Sequence, residues 1–292
     1  MATIKAGYSG RLLDILKTGL PGWKVTTLKQ RLKADLVTVN GKIVRSGAVP
    51  VAKDATIELH DRPAGAQVVF PTHLGEPPLA ILHADADIIA VDKPSGLLSV
   101  ATPRERNLTA IRLMREWLAE LNTESRDNLH AAHRLDRDAS GILLLARSLP
   151  IRKKLVADWK EFTKTYLALV DGEPAEPQGK IDVPLWEDKG LFVRPAEKGG
   201  GVEALTFYKT LRSNGRRSLL EVTLGTGRKH QIRAHLASIG CPIVGDLRYG
   251  KSKASRLALH AARLEILHPT TGEKLLIASK TPKFFNNAVK KQ

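Results

Sequence analysis

The sequence predicts an α+β protein in two parts, a small N-terminal domain of residues 1–62 and a larger domain of residues 79–292. Basic charge is denser in the first part, and after residue 79 the apolar pattern changes to many strands separated by a few helices. Residues 63–78 contain four prolines and two glycines, as is typical of a linker. Because short turns separate the strands of the larger domain, we expect its sheet to be mixed and largely antiparallel.

The charge balance points to a polyanionic partner. The 292 residues include 46 Lys and Arg against 30 Asp and Glu, which gives a formal net charge of +16 at pH 7. The first 62 residues hold +6 of this charge, about twice the density of the remainder. A basic excess of this kind is the electrostatic footprint of nucleic-acid binding. A nucleic acid is therefore the expected partner.

The composition argues against a membrane protein and against a disulfide-bonded one. An apolar run such as Ile142–Ala146 is far shorter than the ~20 residues that cross a bilayer. The N-terminus lacks the apolar segment of a signal peptide. Cys241 is the single cysteine, so it has no partner for an internal disulfide. We therefore expect a cytoplasmic protein that does not contact a membrane.

Leucines at helical spacing predict two helices in the N-terminal domain, before residue 37. Thr26 or Thr27 could cap the second helix through its hydroxyl oxygen. Strand-forming residues then lie on both sides of Asn40-Gly41, a pair that favours the type I′ turn of a hairpin. The domain is predicted to be a compact basic module of two helices and small strands.

Apolar residues at helical spacing predict three helices in the larger domain, over 108–121, 155–162 and 232–239. Gly240 is expected to end the last of them, because glycine readily adopts the positive φ of a helix C-terminus. Residues 262–267 and 274–279 flank a turn and are expected to pair as a hairpin.

Three segments carry more polar residues than their apolar surroundings require, 133–148, 164–172 and 224–250. The first places a charged run beside a strongly apolar strand, which is costly unless the charges are paired. Residue types alone leave two interpretations open. His133 and Arg134 are either structural or functional, and Tyr166 is either a core aromatic or a stacking surface for a base. Lys229 and Arg233 form either a solvated basic face or a binding surface.

Two further patterns bear on cofactors. Residues 245–252, GDLRYGKS, match the phosphate-loop pattern G-x-x-x-x-G-K-S, which makes an ATPase an alternative. The negative charge of Asp246 and the bulk of the next three residues argue against it, because a phosphate cradle needs small residues. His230 and His235 lie five residues apart, off the spacing that places two metal ligands on one helix face. We expect neither a nucleotide cofactor nor a metal.

The three polar segments, in this order, resemble the motifs of the RluA-type RNA pseudouridine synthases. HRLD at 133–136, followed by Ser-Gly at 140–141, is similar to the catalytic-aspartate motif of that family. Residues 164–172 resemble its tyrosine motif, and residues 227–250 resemble its long basic motif. KPSGL at 93–97 matches a further landmark. At the N-terminus, the chain from Arg11 to Leu59 resembles an S4 RNA-binding domain, with VTVNGK as its strand-turn motif.

The resemblance implies an S4-like RNA-binding domain over residues 1–62 and a pseudouridine synthase catalytic domain over residues 79–292. Such an enzyme isomerises specific uridines in structured RNA. Ribosomal RNA is the first candidate and transfer RNA the second. No cofactor is required, because the reaction is redox-neutral. We expect a monomer that takes part in rRNA processing. A non-catalytic RNA-binding protein that keeps the fold is the alternative class.

The resemblance also implies roles for individual residues. Asp136 is expected to be the catalytic carboxylate, acting as a nucleophile or as a base toward the ribose. Arg233 is expected to pair with Asp136 and keep it ionised, and Tyr166 to stack on the uracil. The residues expected to contact RNA are Arg134, Arg228, Lys229, His133 and Gln231. Among them, Arg134 is expected to fill the space that a flipped nucleotide leaves.

Overall fold

The structure is a computed structural model of the chain, and it describes residues 2–34, 36–40, 42–59, 76–121, 129–196 and 200–287. The chain divides into two compact units, the first comprising Met1–Pro71 with Ala84–Asp87 and the second comprising the rest. The predicted linker, 63–78, lies outside the described residues up to residue 75, so the domain bounds stay a prediction. None of the described helices is long and apolar enough to cross a membrane.

The first unit packs two short helices against small strands. The helices are α1 Leu12–Gly19 and α2 Val25–Lys33. The strands are β1 Ala2–Lys5, β2 Gly10–Arg11, β3 Val37–Val39, β4 Lys42–Ile43, β5 Pro50–Val51 and β6 Thr56–Leu59. Four of them form an antiparallel sheet in the order β1-β6-β3-β4, and β2 pairs with β5. Leu12 and Leu28 of the helices share one core with Ile57 of β6.

In this unit the predicted hairpin is confirmed and the predicted cap is wrong. β3 and β4 pair across a turn in which Asn40 has a φ of 48°, the positive φ that such a turn requires. Gly41 lies outside the described residues. The N-cap of α2 is Lys24, which makes no side-chain capping bond. Thr26 and Thr27 lie inside the first turn, because the helix begins one residue before them.

The remaining elements, most of them in the second unit, are more numerous. The helices are α3 Ala110–Leu121, α4 Leu149–Ala157, α5 Gln231–Ser238 and α6 Lys283–Asn287. The strands are β7 Ile81–Ala84, β8 Ile88–Lys93, β9 His130–Ala131, β10 Ser140–Ala146, β11 Thr163–Asp171, β12 Gln178–Asp182, β13 Leu185–Glu187, β14 Val193–Pro195, β15 Leu205–Ser213, β16 Arg217–Leu224, β17 Leu259–Leu267 and β18 Lys274–Ala278.

Ten of these strands form one sheet. Its main order is β12-β15-β16-β11-β17-β10-β8-β7, with β18 added beside β17 and β9 added beside β10. Among the described strand pairs of this sheet, β10 and β17 run parallel to each other. β10 runs antiparallel to β8 and β9, and β17 runs antiparallel to β11 and β18. The predicted mixed, largely antiparallel sheet is therefore confirmed, as is the hairpin of β17 and β18.

The sheet divides where β10 meets β17. Two residue pairs join these strands, and each strand then takes a partner of its own, β9 for β10 and β18 for β17. Gly141 lies at the junction with a φ of 107°. A Cβ atom on Gly141 would lie 2.2 Å from the carbonyl oxygen of Ala261 in β17. Glycine is therefore required here both for its φ and for the close approach of the two backbones.

Two predicted helices differ from the observed ones at their ends. α4 ends at Ala157, so Trp159 and Phe162 lie beyond it, although both pack in the same core as β10. The apolar spacing in the sequence continues past the end of the helix because the turn after it places both aromatic side chains in that core. α3 begins at Ala110, and Leu108 before it is exposed.

α5 follows the prediction closely. Ile232 and Leu236 are buried, and Gly240 has the positive φ of a helix end, 77°. Ile239 lies just after the last helical residue and is partly exposed. This short helix supplies the arginine on which the site described below is built.

Replacing Gly141 should destabilise the protein beyond the cost of its backbone conformation. We expect Gly141→Ala to lower the free energy of unfolding by at least about 2 kcal/mol, because strain and a backbone clash add. Gly215→Ala is the matched control, since Gly215 has a φ of 79° with no atom within 4 Å of an added Cβ. That control should cost about 1 kcal/mol. Urea unfolding followed by tryptophan fluorescence measures both, and equal losses would contradict the close-approach argument.

Candidate active site

The loop between β9 and β10 carries Asp136, and a buried lysine at the end of β8 fixes its path. Lys93 is fully buried. Its ammonium nitrogen lies 2.6–3.0 Å from four carbonyl oxygens, those of Pro94, Leu97, Arg137 and Ala139. The last two belong to the loop and lie one and three residues after Asp136. Burial lowers the pKa of Lys93 to about 8, while the charges of Asp138 and Asp136 act in the opposite direction.

Two serines that follow Lys93 bond the same loop, Ser95 within the KPSGL segment and Ser99 two residues after it. The hydroxyl of Ser99 donates to the carbonyl oxygen of Leu135 and accepts the N–H of Leu135, both at 2.9 Å. The hydroxyl of Ser95 donates to the carbonyl oxygen of Asp138 at 2.5 Å. The backbone is therefore fixed on both sides of Asp136, whose side chain makes none of these bonds.

Arg233 of α5 joins Asp136 to a second carboxylate. Its Nη1 donates to Oδ2 of Asp136 at 3.0 Å. Its Nε and Nη2 donate to the two oxygens of Asp246 at 2.8 and 2.9 Å. Paired, parallel bonds of this kind are the strongest arrangement between a guanidinium and a carboxylate. The predicted pairing of Arg233 with Asp136 is observed, and Asp246 is an additional partner.

Asp246 is fully buried yet remains a carboxylate. Besides Arg233, it accepts the backbone N–H groups of Arg248 and Tyr249 at 2.9 and 3.1 Å. Burial alone would raise the pKa of Asp246, but the hydrogen bonds and charge of Arg233 outweigh burial and lower it. For Arg233, burial acts to lower the pKa, and the bonds to Asp246 and Asp136 raise it above its ordinary value. The guanidinium therefore stays charged beside Asp136.

Tyr166 lies on β11, where the pairing with β17 shifts register between Thr165 and Tyr166. Such a bulge re-aims the side chain that follows it. Burial raises the pKa of Tyr166, and the charge of Asp136 raises it further, so the phenol stays neutral. Tyr166 packs in the same core as Ala139 of the Asp136 loop, and Ala261 of β17 pairs with both Tyr166 and Gly141. Tyr166 therefore lies beside the loop that carries Asp136.

Two residues expected to contact RNA make contacts within the fold. His133 stacks on Trp159 with ring centroids 4.5 Å apart, and its Nε2 accepts the N–H of Leu144 in β10 at 3.0 Å. Gln231 is buried, and its side-chain amide bonds both Thr226 and Thr206. These contacts hold both side chains within the fold, and their contact with RNA stays a prediction. The sequence does not distinguish a polar residue in a core from one on a surface.

The other three residues expected to contact RNA lie on the surface. Arg134 is exposed beside Asp136 in the loop. Arg228 and Lys229, just before α5, are also exposed. The Nε of Arg228 donates to the carbonyl oxygen of Glu203 at 3.0 Å, and Lys229 forms an ion pair with Glu187. All three cations remain accessible to an anionic partner.

The segment GDLRYGKS is not a phosphate loop. Its Asp246 points into the protein toward Arg233, and a Cβ atom on Gly245 would lie 2.1 Å from the carbonyl oxygen of Arg256. In the described part of the chain the next element after this segment is β17, not a helix whose N-terminus could hold a phosphate. Among the described residues no group of three His, Cys, Asp or Glu side chains is placed to hold a metal ion.

Comparison with known proteins identifies the family. The sequence model described as RNA pseudouridylate synthase matches residues 87–238. A Bacillus subtilis (strain 168) protein named uncharacterized RNA pseudouridine synthase YhcT is 31% identical over 282 residues, which cover 94% of this chain and 91% of that protein. The chain belongs to the RNA pseudouridylate synthase family. Members of this family are isomerases that convert uridine in RNA to pseudouridine.

Two further relatives of this pseudouridine synthase are similar over much of their length. Ribosomal large subunit pseudouridine synthase C of Rickettsia bellii is 30% identical over 304 residues, which cover 97% of this chain and 98% of that protein. Among solved structures, human RNA pseudouridylate synthase domain containing 4 superposes with a TM-score of 0.60 at 25% identity. The superposition covers 72% of this chain and 91% of the human one.

Sequence reasoning assigned no role in the site of this synthase to Asp246 or to Lys93. In the sequence, Asp246 is interpreted only as a residue that does not suit a phosphate loop. An acid that follows the apolar run Ile243-Val244 nevertheless needs a buried partner. That requirement was the available signal. Lys93 ends an apolar strand, and nothing in its sequence context indicates the four carbonyl oxygens that surround it.

Removing the buried carboxylate should destabilise the synthase. We expect Asp246→Asn to lower the free energy of unfolding by about 3 kcal/mol, because Arg233 loses a buried, doubly bonded partner. Glu221→Gln is the control, since it removes the more exposed ion pair with Arg263 and should cost less than about 1 kcal/mol. Equal losses in urea unfolding would contradict the assignment of Asp246 as the main support of Arg233.

The destabilisation should also depend on pH. The pKa of Asp246 is lowered in the folded state. Its stabilising contribution is therefore fully present above the unfolded pKa of about 3.9 and is lost as the pH falls through the folded pKa. The stability difference between wild type and Asp246→Asn should be constant near neutral pH and shrink below about pH 4. A difference that grows on acidification would contradict the prediction.

Proposed function

We propose that this synthase isomerises specific uridines of structured ribosomal RNA, with Asp136 as the catalytic carboxylate. The observation that carries the proposal is a partly exposed carboxylate held by a buried, charged guanidinium, with a neutral tyrosine nearby. Relatives from Rickettsia bellii and Nitrosomonas europaea are named ribosomal large subunit pseudouridine synthases. We expect a monomer that acts in the cytoplasm.

The site supports an enzyme rather than a protein that only binds RNA. Phosphate groups repel a carboxylate, so a surface built for binding alone gains nothing from an acid among its cations. Asp136 nevertheless lies between the exposed Arg134 and Arg137 in the chain, and its carboxylate is bonded by Arg233. Maintaining a carboxylate at such a position is expected where it takes part in a reaction.

The reaction breaks the bond between N1 of uracil and C1′ of the ribose and forms a bond between C5 and C1′. C5 loses its hydrogen and N1 gains one, so the product is an isomer and no oxidant or reductant is consumed. Asp136 serves this exchange either by bonding C1′ or by taking a proton from the ribose. Arg233 holds the carboxylate in one orientation through its hydrogen bond to Oδ2. Tyr166 offers a neutral ring on which the detached uracil stacks while it turns.

The substrate must leave its helix to reach Asp136. Extruding a nucleotide costs a few kcal/mol, and a side chain that fills the vacated space offsets part of that cost. Arg134 is exposed two residues before Asp136 and is suited to this role. Arg228 and Lys229 add phosphate contacts beside α5, and the basic N-terminal unit contributes further ones.

Neutralising the catalytic carboxylate should abolish turnover and leave binding intact. We expect Asp136→Asn to reduce pseudouridine formation on ribosomal RNA transcripts at least about a thousandfold, because the reacting oxygen is lost. Asp138→Asn is the matched control. Asp138 is two residues away and partly exposed, and it forms an ion pair with the exposed Arg137, so its removal should change the rate less than about threefold. Retained turnover in Asp136→Asn would refute the proposed mechanism.

Exposed lysines of α2 should contribute phosphate contacts. Lys29 and Lys33 are exposed and four residues apart, so they share one face of the helix. Replacing both by Gln should weaken RNA binding and reduce the slope of log K against log salt by about 1.5. As a control of equal charge, Lys153→Gln with Lys274→Gln alters exposed lysines of the second unit. An unchanged slope in the α2 variant would mean that this helix face does not bind phosphate.

A further inference from the structure

His230 occupies a costly backbone conformation, although its side chain does not cap the helix that follows. It is the N-cap of α5, with a φ of 51° and a ψ of 19°, and its side chain makes no capping bond. The left-handed conformation costs a residue other than glycine roughly 1 kcal/mol or more. Such residues persist where their surroundings hold them, and they cluster at functional sites. The imidazole, rather than the backbone, is the feature to explain.

A directed chain of hydrogen bonds fixes which nitrogen of His230 carries the hydrogen. In the part of the chain that the structure describes, the hydroxyl of Tyr249 has two partners, the N–H of Val193 at 3.1 Å and Nδ1 of His230 at 3.0 Å. Val193 donates to the hydroxyl, so Nδ1 is the one partner among these two that can accept the hydroxyl hydrogen. The arrangement that satisfies this hydrogen has Nδ1 as the acceptor and the hydrogen of the neutral ring on Nε2.

The ring is neutral for a physical reason. Burial lowers the pKa of His230, and the nearby charges of Arg233, Arg248 and Lys229 lower it further, whereas Asp136 acts in the opposite direction. At neutral pH the imidazole is therefore a hydrogen-bond donor through Nε2 rather than a cation. The tautomer does not rest on this shift, because the bonds of Tyr249 already determine it.

Nε2 of His230 is directed toward the reacting carboxylate. It lies 3.9 Å from Oδ2 of Asp136, the same oxygen that accepts Nη1 of Arg233 at 3.0 Å. A separation of 3.9 Å is too long for a hydrogen bond. Among the described residues, Nε2 thus has no acceptor within bonding distance, and a donor is left facing the edge of the carboxylate.

The geometry of the substrate identifies a suitable acceptor. A carboxylate oxygen that reacts at C1′ or C2′ of the ribose approaches the reacting atom to about 3–3.5 Å. The 2′-hydroxyl is attached to C2′, so it lies next to that oxygen. An N–H donor beside the same oxygen can then reach the 2′-hydroxyl oxygen.

We propose that His230 contacts the substrate, donating a hydrogen bond from Nε2 to the 2′-hydroxyl oxygen of the target uridine. The proposal rests on the function proposed above. It adds a specificity: the 2′-hydroxyl is the group by which a protein distinguishes RNA from DNA, so His230 contributes to the recognition of ribose. Tyr249 is a positioning residue, because it acts only by fixing the tautomer of His230.

The test compares two oligonucleotides that carry the target site, one with uridine and one with 2′-deoxyuridine at the modified position. The position is first mapped in ribosomal RNA transcripts treated with the wild-type enzyme. Affinity for the uridine oligonucleotide is measured as its half-saturating concentration in single turnover. Affinity for the 2′-deoxyuridine oligonucleotide is measured as its inhibition constant in competition with the uridine oligonucleotide. For the wild type we expect uridine to be preferred about three- to tenfold, the value of one neutral hydrogen bond.

His230→Gly should reduce this preference to about one, because it removes the donor while relieving the backbone conformation. Leu191→Gly is the matched control, since Leu191 is also a left-handed residue, with a φ of 61° and an exposed side chain. It should keep the wild-type preference. Tyr249→Phe should lower the preference partially, because the ring then loses the bond that fixes its tautomer.

Two results would overturn the proposal. One is an unchanged preference in His230→Gly. The other is an equal loss of affinity for both oligonucleotides, which is the result of a purely structural role. Failure of the proposed function has a different outcome, since the wild-type enzyme would then form no pseudouridine in the mapping step.

Discussion

One guanidinium group bonds two carboxylates, and the catalytic unit is arranged around that contact. Arg233 is mostly buried, so its charge requires compensation, and Asp246 supplies it through two parallel bonds. Nη1 of Arg233 is then held in one direction, toward Asp136. Because Asp246 is itself buried and fully bonded, it cannot exchange its partner for water. The orientation of Asp136, the carboxylate that we propose to be catalytic, therefore depends on a buried residue.

The backbone of the loop that carries Asp136 is held by other contacts than its side chain. β10 and β17 approach closely at Gly141 and then take separate partners, and the loop of Asp136 enters the sheet at that division. Lys93 lies within bonding distance of the loop carbonyls, and the serines of the same segment fix neighbouring backbone groups. A backbone fixed by buried donors and a side chain fixed by a buried cation together give a preorganised carboxylate, which is what electrostatic catalysis requires.

Much of the fold follows from the sequence, because periodic patterns report which face of an element is buried. The strand pattern predicts the mixed sheet and the β17–β18 hairpin, and Asn40 predicts the turn of β3 and β4. Element ends are predicted less well. Trp159 and Phe162 continue a helical spacing after α4 has ended, and Lys24 caps α2 without a capping side chain.

Less of the site follows from the sequence, because its residues meet through tertiary contacts. The pair of Asp136 and Arg233 could be predicted from resemblance, although 97 residues separate the two. Gln231 and His133 belong to the same motifs but face the interior, a distinction that residue type does not carry. The link from Tyr249 to His230 joins side chains 19 residues apart, and it depends on a left-handed backbone at His230 that the sequence does not reveal.

We expect Asp246 to act on catalysis only through Arg233. A double-mutant cycle on the single-turnover rate of pseudouridine formation tests it with Asp246→Asn, Arg233→Lys and the double variant. Lysine keeps the charge but lacks the fork that bonds both carboxylates. We expect Asp246→Asn to slow the wild-type enzyme about tenfold and to cause no further loss in the Arg233→Lys enzyme. Rate losses that multiply in the double variant would contradict the account.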